Sequence, residues 1–125
     1  MSIRDWISRA MEFLQNAEQC LDEERFAISC FSAHQAAELM LRALLLQRTG
    51  TYPFTHSLTE LLDSLESIGI PSEERVYQAA EALEPHYTRS RYPSVHWRKY
   101  DRKIAERCIS HPRKIIKFVK SFIEA

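Results

Sequence analysis

The sequence predicts an all-α protein of about five helices in an antiparallel up-and-down bundle, and three observations carry that expectation. Only two glycines and five prolines occur in 125 residues, too few turn formers for a multi-stranded sheet. Apolar residues recur three and four positions apart rather than in alternation, which is the spacing of one helix face. The connections between these periodic segments are short, which favours antiparallel neighbours. At 45% hydrophobic residues the chain can close one core and is too short for two ordinary ones, so a single helical domain over residues 1–125 is expected.

Each element has its own signal. Ile3, Ile7, Ala10, Leu14, Ala17 and Leu21 line one face of a first helix, which Asp22-Glu23-Glu24 ends. A second helix runs from about Phe26 to Arg48. Its Ile28, Phe31, Ala36, Leu39, Leu41, Leu44 and Leu45 leave only a narrow polar strip, so it is the central and most buried helix. Gly50 stops it, and Tyr52-Pro53-Phe54 continues as an extended linker because the residue before a proline is pushed away from helical angles. Ser57-Leu58-Thr59-Glu60 reads as a capping box opening a third helix that ends near Gly69. Pro71-Ser72-Glu73-Glu74 opens a fourth, with Ser72 as cap and acids in the first turn; Val76, Ala79, Ala80 and Leu83 are its buried face, and Pro85 stops it. The segment from Pro85 to Ser94 reads as an ordered loop. A last helix begins near Val95 and buries Ile104, Ala105, Cys108, Ile115, Ile116, Val119 and Phe122, with a kink or break near Ser110 caused by Pro112. The first, second and last helices should form the core.

Charge is unevenly distributed. Residues 1 to 85 carry 6 Lys+Arg against 14 Asp+Glu, and residues 86 to 125 carry 11 against 3. Such a split either holds the basic C-terminal segment on acidic helices or presents a phosphate-attracting surface. The polar start, Met1-Ser2-Ile3-Arg4-Asp5-Trp6, does not suit a secretory signal and no apolar run approaches membrane length, so a soluble cytoplasmic protein without membrane contact is expected. Cys20, Cys30 and Cys108 are widely spaced and odd in number, and are expected as reduced thiols. No metal and no cofactor are expected. His34 and Glu38 share a helix face at a metal-like spacing, but no further ligands are evident, and a structural polar pair is the simpler reading. His56 reads as a capping or loop residue, and His111 as a solvent-side group beside Pro112. Trp6 and Trp97 read as packing groups.

Four segments occur in the order found in one known family. They are Ser32-Ala33-His34-Gln35-Ala36-Ala37-Glu38-Leu39-Met40-Leu41-Arg42-Ala43-Leu44-Leu45, Thr55-His56-Ser57-Leu58-Thr59-Glu60-Leu61-Leu62, Tyr87-Thr88-Arg89-Ser90-Arg91-Tyr92-Pro93, and a basic terminal helix. On these the chain resembles the HEPN family (higher eukaryote and prokaryote nucleotide-binding) over nearly its whole length. The resemblance implies a helical bundle that forms a homodimer through its second and last helices. It further implies a role in binding nucleotides or cleaving RNA, often beside a separately encoded minimal nucleotidyltransferase.

Arg91 and His96 match the family's Arg-x4-6-His motif with four intervening residues. In ribonuclease members this pair implies metal-independent attack of a ribose 2′-hydroxyl on the adjacent phosphate, with histidine moving a proton and arginine stabilising the phosphorane. Two departures weigh against activity. Tyr92 and Pro93 follow the arginine where active members carry a polar residue, and Arg98 stands where a modified toxin version ends in tyrosine. Around the motif, Tyr87, Arg89 and Tyr92 offer aromatic faces and a second cation to a base and its phosphate. Arg98, Lys99, Arg102, Lys103 and Arg107 either continue a phosphate-tracking stripe, led by Arg98 and Arg102, or form a solvated helix face. Three functions follow: a nucleotide- or single-stranded-RNA-binding protein that partners a minimal nucleotidyltransferase in a toxin-antitoxin-like system, an endoribonuclease toxin using Arg91 and His96, and a helical interaction module without a nucleic-acid role.

Overall fold

Helix starts in this chain are set by short polar side chains that satisfy free amides. Ser2 accepts from the Asp5 amide while the Asp5 carboxylate accepts from the Ser2 amide, a reciprocal cap that opens α1 (Ile3–Asp22). The computed structural model describes residues 2–93 and 99–123. After α1 follow α2 (Phe26–Thr49), α3 (Leu58–Ser67), α4 (Glu74–Leu83), a one-turn α5 (His86–Arg89) and α6 (Arg102–Phe122). The fold is therefore an all-helical bundle with five helices of ten residues or more, and no strand occurs among the described residues. No described helix is long and apolar enough to cross a membrane.

The turn between α1 and α2 is built by Glu24, which takes the left-handed φ of 62° and lets the Arg25 amide return to the Cys20 carbonyl at 2.7 Å. The two helices then pack closely because small residues line their seam. Ala10, Ala17, Ala33, Ala36 and Ala37 are all 0% exposed. Ser29 donates to the Ala17 carbonyl at 2.7 Å, and Asn16 donates to the Ser32 hydroxyl at 2.7 Å. These inward serines displace Ile28, which was expected in the core and is 47% exposed. On its other faces α2 buries Met40, Leu41 and Leu44 against α6 and α3. Each such side chain contributes about 1.5–3 kcal/mol by leaving water. As expected, α1, α2 and α6 supply much of the core, joined by Leu58, Leu61, Leu62, Leu65 and Leu83 of α3 and α4.

Several expected boundaries move. Serine does not cap α4: Glu73 holds the cap position without a side-chain bond. The expected loop after Pro85 contains α5, because Glu84 and Pro85 both keep right-handed helical angles and a proline tolerates a helix's first turn. The last helix starts at Arg102 rather than near Val95, since Asp101 is extended and accepts from the Ile104 amide at 2.8 Å. Pro112 does not break α6, which runs unbroken from Arg102 to Phe122. The proline ring is buried on the core face, where packing offsets the missing amide bond. His111 is half-buried rather than on the solvent side, and burial lowers its pKa. Cys30 and Cys108 are joined as a disulfide between α2 and α6, Cα to Cα 5.3 Å, so they are not the expected thiols; Cys20 is free and buried. The charge split is partly answered within the chain, where Arg113 meets Glu18 at 3.0 Å and Arg102 meets Glu24 at 3.6 Å.

Candidate functional site

α5 carries Tyr87 inward and Arg91 follows one helical turn later. That spacing places the Arg91 guanidinium over the phenol, and Nη1 donates to the Tyr87 hydroxyl at 2.7 Å. Its Cζ lies 4.9 Å from the Tyr87 ring centre and 5.2 Å from that of Tyr92, so the cation sits against two aromatic faces. Arg91 and Tyr92 are both exposed, Tyr92 by 53%.

Behind Tyr87 lies a polar chain that leads into the core. Its ring stacks on His56 with centres 4.4 Å apart and an interplanar angle of 16°, and it meets the His34 ring at 5.0 Å. His56 Nδ1 lies 3.1 and 3.2 Å from the two oxygens of Glu38. A carboxylate only accepts, so the His56 proton is assigned to Nδ1. Glu38 is 1% exposed and also meets Arg42 at 3.1 Å and the Gln35 amide at 3.4 Å. Arg42 in turn donates to the Thr55 carbonyl at 2.9 Å and covers the Tyr52 ring at 4.7 Å. A buried carboxylate persists only when partners replace its water, and Glu38 has them from α2 and from the segment before α3.

His34 stands beside this chain at 0% exposure. Burial lowers its pKa to about 4, an effect that the nearby Glu84 charge and the His56 backbone oppose and the His56 and His86 charges reinforce. The imidazole is neutral at pH 7, and the expected His34–Glu38 pair is realised at 3.7 Å, beyond a direct hydrogen bond. Glu84 closes the far wall. It accepts from the Ser57 hydroxyl, and from the Thr59 amide and hydroxyl at 3.0 Å each. Ser57 caps α3 by accepting from the Glu60 amide at 3.2 Å, while the N-terminal amide of Thr59 is served by Glu84 from the end of α4. A depression lined by His56, Ser57, Glu84, Pro85, Tyr87 and Thr88 opens beside this wall.

Arg91, Tyr87 and Tyr92 are thus brought together. Arg89 lies exposed on α5, where its positive charge helps lower the pKa of His86 and of Tyr100; burial is the larger cause for both, lowering His86 and raising Tyr100 on balance. Arg102 stands at the start of α6, held by Glu24 and set over the Phe26 ring at 5.4 Å. With Lys99, Lys103 and Arg107 it is exposed to solvent. His96, Trp97 and Arg98 fall outside the described residues, and with them the second half of the Arg91 to His96 motif. His56, Glu38 and Glu84 were not expected as neighbours of Tyr87. The available signal was Glu38 itself, an acid inside an otherwise apolar helix, which required partners.

Comparison with known proteins identifies the fold and family. The family model for the HEPN domain matches residues 3–122. Among solved structures, TT1696 from Thermus thermophilus is 32% identical with a TM-score of 0.88, covering 97% of this chain and 98% of its own. ST0689, an archaeal HEPN homologue, is 27% identical with a TM-score of 0.83, covering 99% of each chain. An HEPN domain protein, tm0613, from Thermotoga maritima is 29% identical with a TM-score of 0.76, covering 94% of this chain and 95% of its own. No curated protein matches the sequence. With the family model spanning nearly all of the chain and full-length structural neighbours sharing its helices, this chain belongs to the HEPN domain family.

Proposed function

We propose that the protein binds a nucleotide or single-stranded RNA at the Arg91 face, as a cytoplasmic homodimer working with a separately encoded minimal nucleotidyltransferase. The observation that carries the binding site is the exposed Arg91 guanidinium held by the Tyr87 hydroxyl between the Tyr87 and Tyr92 rings. A fixed planar cation suits a phosphate, and the exposed Tyr92 ring offers a stacking face to a base. Arg89, on α5 with Tyr87, adds a second exposed positive charge two residues before Arg91 in the sequence. The dimer, the partner and the toxin-antitoxin-like setting are supported by the family resemblance.

The test is binding of a fluorescent single-stranded RNA and of a mononucleotide at low salt. Arg91→Ala should weaken Kd about tenfold or more, the worth of one charge-assisted contact of about 1.5–3 kcal/mol. Arg113→Ala, which removes a cation already paired with Glu18, should change it less than about twofold. Equal losses from the two variants refute the site. The same RNA, followed for cleavage with His96→Ala beside the wild type, tests the ribonuclease alternative.

A further inference from the structure

Cys30 on α2, His86 on α5 and Cys108 on α6 converge inside the bundle. The two sulfurs and a ring nitrogen of His86 all lie within 4.8 Å of one another, although the cysteines are 78 residues apart. Cys30 and Cys108 are 0% and 1% exposed and His86 is half-buried. His86 Nδ1 lies 2.6 Å from the Tyr100 hydroxyl, and the two rings meet edge to face. The Tyr100 hydroxyl thus fixes the His86 ring, and hydrogen bonds of this kind commonly orient histidines that ligate metals through their other nitrogen.

We propose that the reduced protein binds one zinc-class cation through the thiolates of Cys30 and Cys108 and the imidazole of His86, with the disulfide as the metal-free alternative of the same site. Two thiolates and an imidazole are the donors a zinc ion favours, and three protein ligands leave a fourth position for water. A tetrahedral ion with bonds of about 2.0–2.3 Å keeps its donors about 3.4–3.8 Å apart. Small side-chain movements reach that spacing once the S–S bond opens. Opening uses two molecules of a low-molecular-weight thiol: their two electrons and two protons convert the disulfide to two cysteine thiols, and they leave joined as their own disulfide. Metal binding then displaces the two thiol protons to solvent. A sulfur in an S–S bond is no thiolate, so the two states exclude each other.

The test uses the full chain, reduced, stripped with a chelator and titrated with cobalt(II), whose thiolate bonds give near-ultraviolet charge-transfer absorption. One equivalent should bind, and zinc should displace it. Cys30→Ser and Cys108→Ser should abolish the absorption, and His86→Gln should weaken binding about tenfold or more. Cys20→Ser, which removes the remaining thiol on α1, should leave it unchanged. Circular dichroism reports whether each variant folds. Should a cysteine variant not fold, His86→Gln and the oxidised wild type decide the matter. The proposal is overturned if folded, reduced wild type shows no charge-transfer band, if oxidised protein binds cobalt equally, or if His86→Gln binds at wild-type affinity.

Discussion

The buried histidine of α2 makes folding stability depend on pH in a way that can be worked out in advance. His34 titrates at about 4 in the folded protein against 6.5 for a free histidine, chiefly because burial penalises its charged form. A lowered folded pKa on a base means the unfolded chain binds the proton more readily. Stability from this group is therefore fully present above about pH 6.5 and is lost as pH falls toward 4. At about pH 4.5 an unfolded imidazole is about 99% protonated and the folded one about a quarter. With about 1.4 kcal/mol per pKa unit, lowering the pH from about 7 to about 4.5 should remove about 2.5 kcal/mol through His34. Burial also lowers the pKa values of His86 and His111, so other groups add their own pH dependence. The comparison is therefore with His34→Gln, which keeps those groups and removes the one in question. Urea unfolding of both proteins at the two pH values gives the result: wild type should lose about 2.5 kcal/mol more than the variant. Equal losses, or an NMR titration showing the wild-type His34 ring changing charge near 6.5, would refute the reasoning.

Two further outcomes test the scaffold of the site. Glu38→Leu removes the carboxylate shared by Arg42 and His56, leaving the largely buried Arg42 guanidinium without its acid. It should cost about 3 kcal/mol in urea unfolding, the low end for breaking a buried ion pair, because Arg42 keeps the Thr55 carbonyl and the Tyr52 ring. Asp101→Ala removes the acceptor of the Ile104 amide at the start of α6. It should lower stability by about 1 kcal/mol and Tm by a few degrees, read by thermal unfolding.

The helices were legible because burial leaves a spacing in the sequence. Ala10, Leu14 and Ala17 are apolar at steps of four and three and are buried together. What could not be read was anything depending on which helices touch. Cys30 and Cys108 look unrelated until α2 and α6 are known to be adjacent. His56 looks like a loop residue until α5 folds back and lays Tyr87 on it. Ile28 failed for the opposite reason: its composition fits a core, but the seam with α1 needed the smaller Ser29 and Ser32. Asp101 was a readable signal, a capping residue before an apolar run, and placing the last helix at Val95 passed over it. Tyr87, Arg89 and Tyr92 were expected around Arg91 because they surround the family motif in the sequence; that Tyr87 lies one helical turn before Arg91 was not legible, since the segment read as a loop. The polar chain behind them was hidden because its members come from α2, the linker before α3, and the end of α4.

The position of α2 also orders how the molecule is made. It packs on α1, its neighbour in sequence, along one face, and on α6 along another. The α1–α2 hairpin can close early with contacts that are local in sequence, while the α6 contacts must wait for a loop of more than fifty residues to close. During synthesis α6 emerges after the other described helices. Until it docks, the α2 face that it covers, together with Ile109, Ile115 and Val119 of α6 itself, remains in water, and Cys30 has no Cys108 beside it. The interval between translation of α2 and docking of α6 is thus when this chain is most open to aggregation and to chaperones.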